Sequence, residues 1–374
     1  MTSLARTDTS LISRWWWTVD RWSLAAVGVI ILIGIVLTMA ASPAVAERIG
    51  LDAFHFARRQ FAYLPLAILA MLLASLLSPT GVKRFALLVF AGALLLTAAT
   101  LHYGIEVKGA TRWLSIGGLS LQPSEFLKPA FAVVSAWLIS SNRLDPEFPG
   151  YIVATLLLGL CMFVLLKQPD VGMTLMVMGV FFVQLFLIGL PVIIVILCLG
   201  LFAGGGVGAY YMFSHVRERV DNFLDPASGE GYQVNRALEA FQAGGLFGRG
   251  PGEGRVKQVL PDAHSDFILA VAGEEFGILL CLLVIALFAF VVLRGFSRTL
   301  KDGDLFVVLA GAGLLAQFGM QALVNMASSM HIIPPKGITL PFISYGGSST
   351  VALAWAIGIV LALTRERPSP RRLP

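Results

Sequence analysis

Long apolar runs alternate with short polar segments along nearly the whole chain. The runs lack the period-two alternation of a half-buried strand, so they predict α-helices. Most approach the roughly 20 residues that a membrane span needs, and a backbone inside lipid satisfies its hydrogen bonds only as a helix or a closed barrel. The pattern therefore predicts an all-α polytopic membrane protein with about ten transmembrane helices. The predicted spans are residues 22–41, 62–78, 85–101, 126–141, 150–167, 171–190, 191–213, 267–293, 304–328 and 343–364.

The connections between these spans differ on the two sides of the membrane. Those on one side are short, and their Lys and Arg outnumber those in the short connections opposite. Because cytoplasmic loops are enriched in basic residues, both termini are predicted to be cytoplasmic. A single membrane domain, residues 22–364, then lies between an N-terminal segment, residues 1–21, and a C-terminal tail, residues 365–374. The outer connections are residues 42–61, 102–125, 214–266 and 329–342, of which 214–266 joins helices 7 and 8.

The composition excludes several other classes of protein. Hydrophobic residues make up 57% of the chain and charged residues 13%, whereas a soluble domain is about 25% charged. The net charge of +5 predicts no nucleic-acid partner, because basic residues that flank spans face anionic lipid headgroups. Cys161, Cys198 and Cys281 lie inside predicted spans, so they indicate neither a disulfide framework nor a metal site.

Few ionisable residues lie at the outer ends of the spans, and these are candidates for chemistry. Glu125 and Lys128 are three residues apart and share one helix face. They fit either a mutual ion pair that lets both insert, or a cation at the outer mouth that meets an anionic substrate. Asp170, at another outer turn, fits a solvated turn, a cap on the sixth span or a substrate-binding group. In the last outer segment, Lys336 and Ser348 offer donors for phosphate or sugar oxygens.

The long outer loop carries two recognisable patterns. Residues 232–245 have apolar positions at helical spacing, which predicts an amphipathic helix at the membrane interface. The following 248-GRGPGEGR-255 lacks the Lys and Ser/Thr ending of a phosphate-binding loop and is interpreted as a mobile turn. Further on, Glu274 and Glu275 point about 100° apart on a helix, so one is expected to meet a polar partner on a neighbouring helix.

Two aspartates stand directly before the eighth span. If its helix continues backwards, Asp262 and Asp266 share a face at the membrane mouth and His264 is turned away. A partly desolvated carboxylate there can act as a general base, or Asp266 can cap the helix. From these residues alone, an enzyme that acts on an anionic lipid-linked substrate and a transporter of that substrate remain equally open.

Several segments together resemble the SEDS family (shape, elongation, division and sporulation). They are 108-KGATRWLSIGGLSLQPSEFLKPAF-131, 168-QPDVGMT-174, 232-YQVNRALEAFQAGGLFGRG-250, 259-VLPDAHSDFILAVAGEEFG-277 and 336-KGITLPFISYGGSS-349. The last is more similar to the division members of the family than to the elongation members. The resemblance implies ten membrane helices and a peptidoglycan glycosyltransferase that polymerises lipid II. It also places the family's essential aspartate at Asp266.

The resemblance further implies roles for the candidate residues. Asp266 would act as general base on the acceptor sugar, and cations would face the donor's pyrophosphate. Lys128 is the first candidate for that cation, with Arg217, Arg219, Arg249 and Lys336 behind it. Further substrate-binding candidates are Glu125, Asp170, His264 and Ser348. A divalent cation, Mg or Mn, would assist, although no metal-ligand cluster is evident.

The expected partners are a class B penicillin-binding protein and other divisome membrane proteins, at the septum of a bacterial inner membrane. Two alternatives remain, a lipid II flippase and a scaffold that organises the septum. Asp266 distinguishes them, because only a polymerase needs a base.

Overall fold

A computed structural model of the chain describes residues 10–107, 110–116, 119–189, 192–212, 214–225, 229–334 and 337–366. Within these ranges the protein is dominated by helices, with a small antiparallel sheet. The helices are α1 (Leu11–Thr18), α2 (Arg21–Arg48), α3 (His55–Ser75), α4 (Pro79–Tyr103), α5 (Pro123–Leu144), α6 (Gly150–Lys167), α7 (Val171–Leu187), α8 (Val192–Met212), α9 (Ser214–Leu224), α10 (Gly229–Gly244), α11 (Ile268–Thr299), α12 (Leu305–Ser329) and α13 (Gly347–Leu363). The strands are β1 (Ile105–Val107), β2 (Ala110–Ile116) and β3 (Leu119–Leu121).

Every predicted span coincides with one helix, namely α2 to α8 and α11 to α13. Six of these are long and apolar enough to cross a membrane: α2, α3, α4, α6, α11 and α12. A multi-pass helical membrane protein is therefore confirmed. That ten helices cross the membrane stays a prediction, as do the domain limits. The division of the 171–213 run is confirmed, because α7 ends at Leu187 and α8 begins at Val192.

The outer segment 102–125 is more ordered than the sequence suggested. It contains the three strands, in the order β1-β2-β3, and both pairs are antiparallel. This small sheet is an addition to the predicted all-α fold, which is otherwise confirmed. The sheet is short, and it brings Arg112 of β2 against the turn before α7.

The eighth predicted span is covered by α11, which is interrupted at Gly277. This residue has φ 81° and ψ 177°, which is not helical. Residues 244–250 pack into the break: the N–H of Ile278 donates to the carbonyl of Gly245 at 3.0 Å, and the N–H of Gly250 donates to that of Glu275 at 3.0 Å. The backbone groups that the break releases are thus paired with the outer loop, as a membrane interior requires.

The core consists of two buried apolar clusters that meet on α12 and α13. One joins these helices to α2, α3, α10 and α11, and the other joins them to α4, α5, α6 and α7. A helix that is apolar and buried nearly all round lies in the interior of a bundle. The central position of α12 matters for the site, because one half of this helix contacts both Lys128 and the segment that carries Asp266.

The segments before α2 and after α13 lie at the same end of the bundle. The N–H of Glu366 donates to the carbonyl of Thr18 at 3.1 Å, and Asp20 pairs with Arg294 at 2.8 Å near the end of α11. The described parts of both chain ends therefore share one side. Their cytoplasmic location stays a prediction.

Candidate functional site

The Glu125–Lys128 ion pair is present and deeply buried in the first turns of α5. Nζ of Lys128 lies 2.8 Å from Oε2 of Glu125, and the two residues are 1% and 5% exposed. Nζ also donates to Oε1 of Gln321 on α12 at 3.1 Å. The described residues thus give Nζ two partners, Glu125 and Gln321. The ion-pair interpretation is confirmed, and binding of an anionic substrate by Lys128 stays a prediction.

Asp170 forms the predicted cap and has a partner that the sequence did not reveal. Its Oδ1 accepts the N–H of Met173 at 3.1 Å at the start of α7, and its Oδ2 lies 3.4 Å from Arg112. Arg112 also donates to the carbonyl of Pro169 at 2.7 Å. Burial raises the pKa of Asp170, and the charge of Arg112 only partly offsets this. Nothing in the spacing singled out Arg112, because its partners lie across the fold.

The segment that carries Asp266 is a turn rather than a backward extension of α11. The helix begins at Ile268 after Phe267, which makes no side-chain cap hydrogen bond, and Asp262 has a left-handed φ of 51°. Asp262 and Asp266 therefore do not share a helix face, and Asp266 is not the cap. The carbonyl of Asp266 accepts from Asn325 Nδ2 at 3.0 Å and lies 3.3 Å from the Ser329 hydroxyl. Two side chains of α12 thus fix its backbone.

The residues before Asp266 are held from the other side by the loop that precedes α13. The N–H of Tyr345 donates to the carbonyl of His264 at 2.9 Å, and the Ser344 hydroxyl donates to the carbonyl of Ser265. His264 is 8% exposed, and its ring centroid lies 4.0 Å from that of Phe56. The His264 ring therefore packs among aromatic side chains. The expectation that it is turned away from a shared helix face of Asp262 and Asp266 does not apply, because that helix does not extend back to them.

Gly337 lies beside the carboxylate of Asp266. A Cβ placed on Gly337 would be 3.9 Å from Oδ2 of Asp266, and the glycine has a left-handed φ of 66°. The backbone of this loop can therefore approach the carboxylate closely. Lys336, the next residue towards the N-terminus and a predicted substrate-binding cation, lies outside the described residues.

Glu274 and Glu275 both bind the outer loop. Glu274 accepts three backbone N–H groups, from residues 255 to 257, at 2.6 to 2.9 Å. Glu275 pairs with Lys257 and accepts the N–H of Gly252 at 3.0 Å. The interpretation of residues 248–255 as a mobile turn is therefore wrong, because two buried carboxylates hold this segment. The expected polar partner exists for both glutamates, but it is the loop rather than a neighbouring helix.

The predicted interfacial helix is also buried. α10 covers residues 229–244, and its Val234, Ala237 and Ala240 are fully buried in the cluster that contains α11. The amphipathic pattern predicted the helix and its end at Gly244 correctly. Its apolar face packs against protein instead of lipid.

The remaining candidates lie apart from these groups or are engaged within the protein. Arg217 is exposed on α9 and donates to the carbonyl of Tyr211 at 3.3 Å. The side chain of Arg219, on the same helix, is outside the described residues. Arg249 is exposed, donates to a carbonyl of α10, and borders an open cleft of about 490 Å³. The Ser348 hydroxyl accepts the N–H of residue 122 at 3.0 Å and lies 3.3 Å from the carbonyl of residue 120.

The candidates therefore fall into two clusters that face α12. One holds Glu125, Lys128 and Asp170, whose charges act on one another, and the other holds His264 and Asp266. The first cluster provides a buried cation, and the second provides a candidate base whose backbone is held by α12.

The family model for FtsW, RodA and SpoVE, described as "Cell cycle protein", matches residues 21–369 of this chain. The chain belongs to this family. The probable peptidoglycan glycosyltransferase FtsW of Caulobacter vibrioides is 45% identical over 98% of this chain and 94% of its own length. The corresponding protein of Geobacter metallireducens is 35% identical over 90% of this chain and 92% of its own.

Solved structures of family members give the same result. The rod shape determining protein RodA of Thermus thermophilus superposes with a TM-score of 0.69 at 28% identity, over 93% of this chain and 97% of that one. A chain from a peptidoglycan synthase complex, solved to show how polymerization and crosslinking are coordinated, gives a TM-score of 0.76 at 28% identity, over 92% of this chain and 97% of that one. The resemblance to the SEDS family is confirmed.

Proposed function

We propose that this chain is a peptidoglycan glycosyltransferase that polymerises lipid II into β-1,4 glycan strands during septal wall synthesis. The family membership and the names of its FtsW relatives support the activity. The observation that carries the proposal is the placement of Asp266. Its backbone is hydrogen-bonded to α12 and its neighbours to the loop before α13, and its carboxylate lies beside Gly337.

Asp266 acts as general base in this proposal. Its carboxylate takes the proton from the 4-hydroxyl of the acceptor N-acetylglucosamine as that oxygen attacks the anomeric carbon of the donor's muramyl sugar. The bond from that carbon to the α-linked pyrophosphate breaks, and the electron pair leaves with the phosphate. The new bond is β, so the step inverts configuration. One base suffices because the leaving group is already activated, unlike the sugar oxygen that a glycosidase must protonate.

Lys128 stabilises the charge that grows on the departing pyrophosphate. A cation is most effective when it is already positioned in a site that excludes water. Lys128 is 1% exposed and oriented by Glu125 and Gln321. Arg217 and Arg249 are exposed and lie apart from this pair, which places them second as ligands of the lipid-linked substrate.

A divalent cation, Mg or Mn, is proposed to assist by accompanying the pyrophosphate of the substrate. Within the described ranges, no three His, Cys, Asp or Glu side chains are grouped as a metal site. Polymerisation measured with and without a chelator tests whether a divalent cation accompanies the substrate.

A class B penicillin-binding protein is the proposed partner, because a structurally similar chain belongs to a complex that coordinates polymerization with crosslinking. The glycan made here would be crosslinked by that partner at the division septum of the bacterial inner membrane, within a divisome of other membrane proteins. Both termini would face the cytoplasm.

The test is polymerisation of labelled lipid II by the purified protein with its cognate transpeptidase, whose own catalytic serine is blocked. Asp266→Asn removes the base without changing size, and Asp262→Asn is the matched control. Asparagine adopts left-handed φ values readily, so it suits position 262. We expect glycan from the wild type and the control, and none from Asp266→Asn at equal lipid II binding.

Equal glycan from wild type and Asp266→Asn would refute the role of the base. No glycan from a wild-type protein that binds both lipid II and its partner would refute the polymerase. Transport of lipid II across vesicles by that protein would then identify a flippase, and its absence a scaffold.

A further inference from the structure

One face of α12 carries a row of polar side chains deep in the bundle. Gln317, Gln321, Asn325 and Ser329 are spaced four residues apart and are at most 1% exposed. Residues at this spacing lie above one another on a helix. A buried amide without partners is costly, so the partners of each side chain indicate what the row is for.

Gln321 binds both Lys128 and the loop that precedes α13. Its Oε1 accepts from Lys128 Nζ at 3.1 Å, and its Nε2 donates to the carbonyl of Thr339 at 3.2 Å and lies 3.2 Å from the Ser349 hydroxyl. The chemistry of the partners dictates this orientation of the amide, because an ammonium group only donates and a carbonyl only accepts. The reverse orientation would bring Nε2 against Nζ.

Asn325, one turn further along α12, binds the segment that carries the base. Its Nδ2 donates to the carbonyls of Asp266, at 3.0 Å, and Ile338, at 2.8 Å. Because both partners are carbonyl oxygens, which only accept hydrogen bonds, the Asn325 amide also has a single possible orientation. Asn325 holds residue 338 and Gln321 holds residue 339. These two residues directly follow Gly337, which lies beside the Asp266 carboxylate.

We propose that Gln321 and Asn325 are positioning residues that set the spacing between the Lys128 ammonium and the Asp266 carboxylate. This inference rests on the proposed function, in which these two groups act on opposite ends of one transfer step. Four residues of helix span about 6 Å, so the two amides attach the cation and the base to points one turn apart on a buried helix.

The reaction needs such a fixed spacing. The base acts on the acceptor oxygen and the cation on the leaving pyrophosphate, and a misplacement of about 1 Å can cost about 100-fold in rate. Lys128 lies on α5 and Asp266 on the turn before α11. Gln321 binds the Lys128 ammonium and Asn325 binds the backbone carbonyl of Asp266, so α12 joins the two elements through hydrogen bonds.

The chain offers a matched control for the test. Gln317 has the same side chain on the same face, one turn from Gln321 and 1% exposed. It forms no hydrogen bond among the described residues, and its Oε1 has no partner there. Gln317→Met and Gln321→Met therefore remove the same amide at the same burial and nearly keep its volume, and only the second change touches the proposed spacing.

Rates of lipid II polymerisation are measured for four proteins, each in its complex with the transpeptidase. They are wild type, Gln317→Met, Gln321→Met and Asn325→Leu. For Gln321→Met and Asn325→Leu we expect kcat to fall about 10- to 100-fold with KM changed less than about threefold. Gln317→Met is expected to stay within about twofold of wild type. Thermal unfolding of each complex reports the folded fraction, and kcat is expressed per folded complex.

A double-mutant cycle with Lys128→Met separates positioning from a general loss of structure. If Gln321 acts through Lys128, adding Gln321→Met to Lys128→Met lowers kcat by less than about threefold further. A full additional loss, or equal rates for Gln321→Met and Gln317→Met, would overturn the inference. If Gln321→Met does not fold, Asn325→Leu carries the same comparison. Inactive wild type would instead refute the proposed function, as would an Asp266→Asn variant as active as wild type.

Discussion

The ion pair between Lys257 and Glu275 offers the most quantitative test of how the outer loop is held. Lys257 is 7% exposed and Glu275 is 1% exposed, and the lysine also donates to the carbonyl of Ala40 on α2 at 3.0 Å. The change Lys257→Met keeps most of the volume and removes the charge. It leaves a carboxylate buried beside the break in α11.

Removing one member of a buried pair costs about 3–5 kcal/mol, because the other charge is left uncompensated. Glu275 keeps the hydrogen bond from the N–H of Gly252, so the lower end, about 3 kcal/mol, is expected. At about 2–4 °C per kcal/mol for domains of 150–250 residues, and less for a larger protein, this corresponds to a fall in Tm of roughly 5–10 °C.

The second change distinguishes a lost charge pair from lost packing. In Lys257→Met with Glu275→Gln, the amide oxygen still accepts the N–H of Gly252, and no charge remains buried. The double variant is expected to recover most of the loss and to stay about 1 kcal/mol below wild type, the value of an ordinary hydrogen bond.

Thermal unfolding of the purified protein in detergent measures both variants. Lys301→Met is the control, because Lys301 is exposed at the other end of α11 and forms no ion pair in the described part of the chain. Limited proteolysis within residues 248–255 follows the loop itself. The reasoning is refuted if Lys257→Met lowers Tm no more than Lys301→Met, or if the double variant is as unstable as the single one.

Three further predictions concern stability. Burial raises the pKa of Asp20, but the hydrogen bonds and charges of its arginine partners outweigh this and hold it below the ordinary 3.8. Wild type should therefore exceed Asp20→Asn in Tm above pH 3.8 and converge with it as the pH falls further. The pKa of Asp170 is raised by burial, so its ionised form lowers the stability of the folded protein at neutral pH. Asp170→Asn keeps an N-cap side chain and should exceed wild type in Tm at neutral pH, and the difference should vanish in acid. Gly277→Ala should lower Tm by several degrees, because the new Cβ would lie 2.2 Å from a backbone oxygen. Gly28→Ala is the control and should leave Tm unchanged, because its Cβ would have no atom within 4 Å.

The sequence predicted those features that depend on local spacing. Apolar runs become helices because a backbone in lipid has no other partner for its polar groups, and Glu125 meets Lys128 because residues three apart share a helix face. The end of α10 at Gly244 follows from the same local rules. These inferences need no knowledge of which helices are neighbours.

The contacts that the sequence did not predict join residues from distant elements. Arg112 binds the turn at Asp170, and Lys257 binds Glu275 across the break at Gly277. Composition cannot show which of the many basic residues will meet a given carboxylate. The break itself had one signal, the acidic pair within an apolar run, since a membrane interior admits such a pair only where the chain supplies buried partners.

Buried charge is concentrated around the proposed site and the loop next to it. Apart from Asp20, the buried Asp, Glu and Lys side chains in the described ranges lie near the first turns of their helices or in that loop, and each has a polar partner within the protein. They are Glu125, Lys128, Asp170, Lys257, Glu274 and Glu275. An apolar core tolerates substitutions that conserve volume at a cost below about 1.5 kcal/mol. A buried charge tolerates only its own partner geometry, because any other arrangement leaves it unpaired. We therefore expect few alternative packings around these charges, which suits a reaction that depends on the spacing of Lys128 and Asp266.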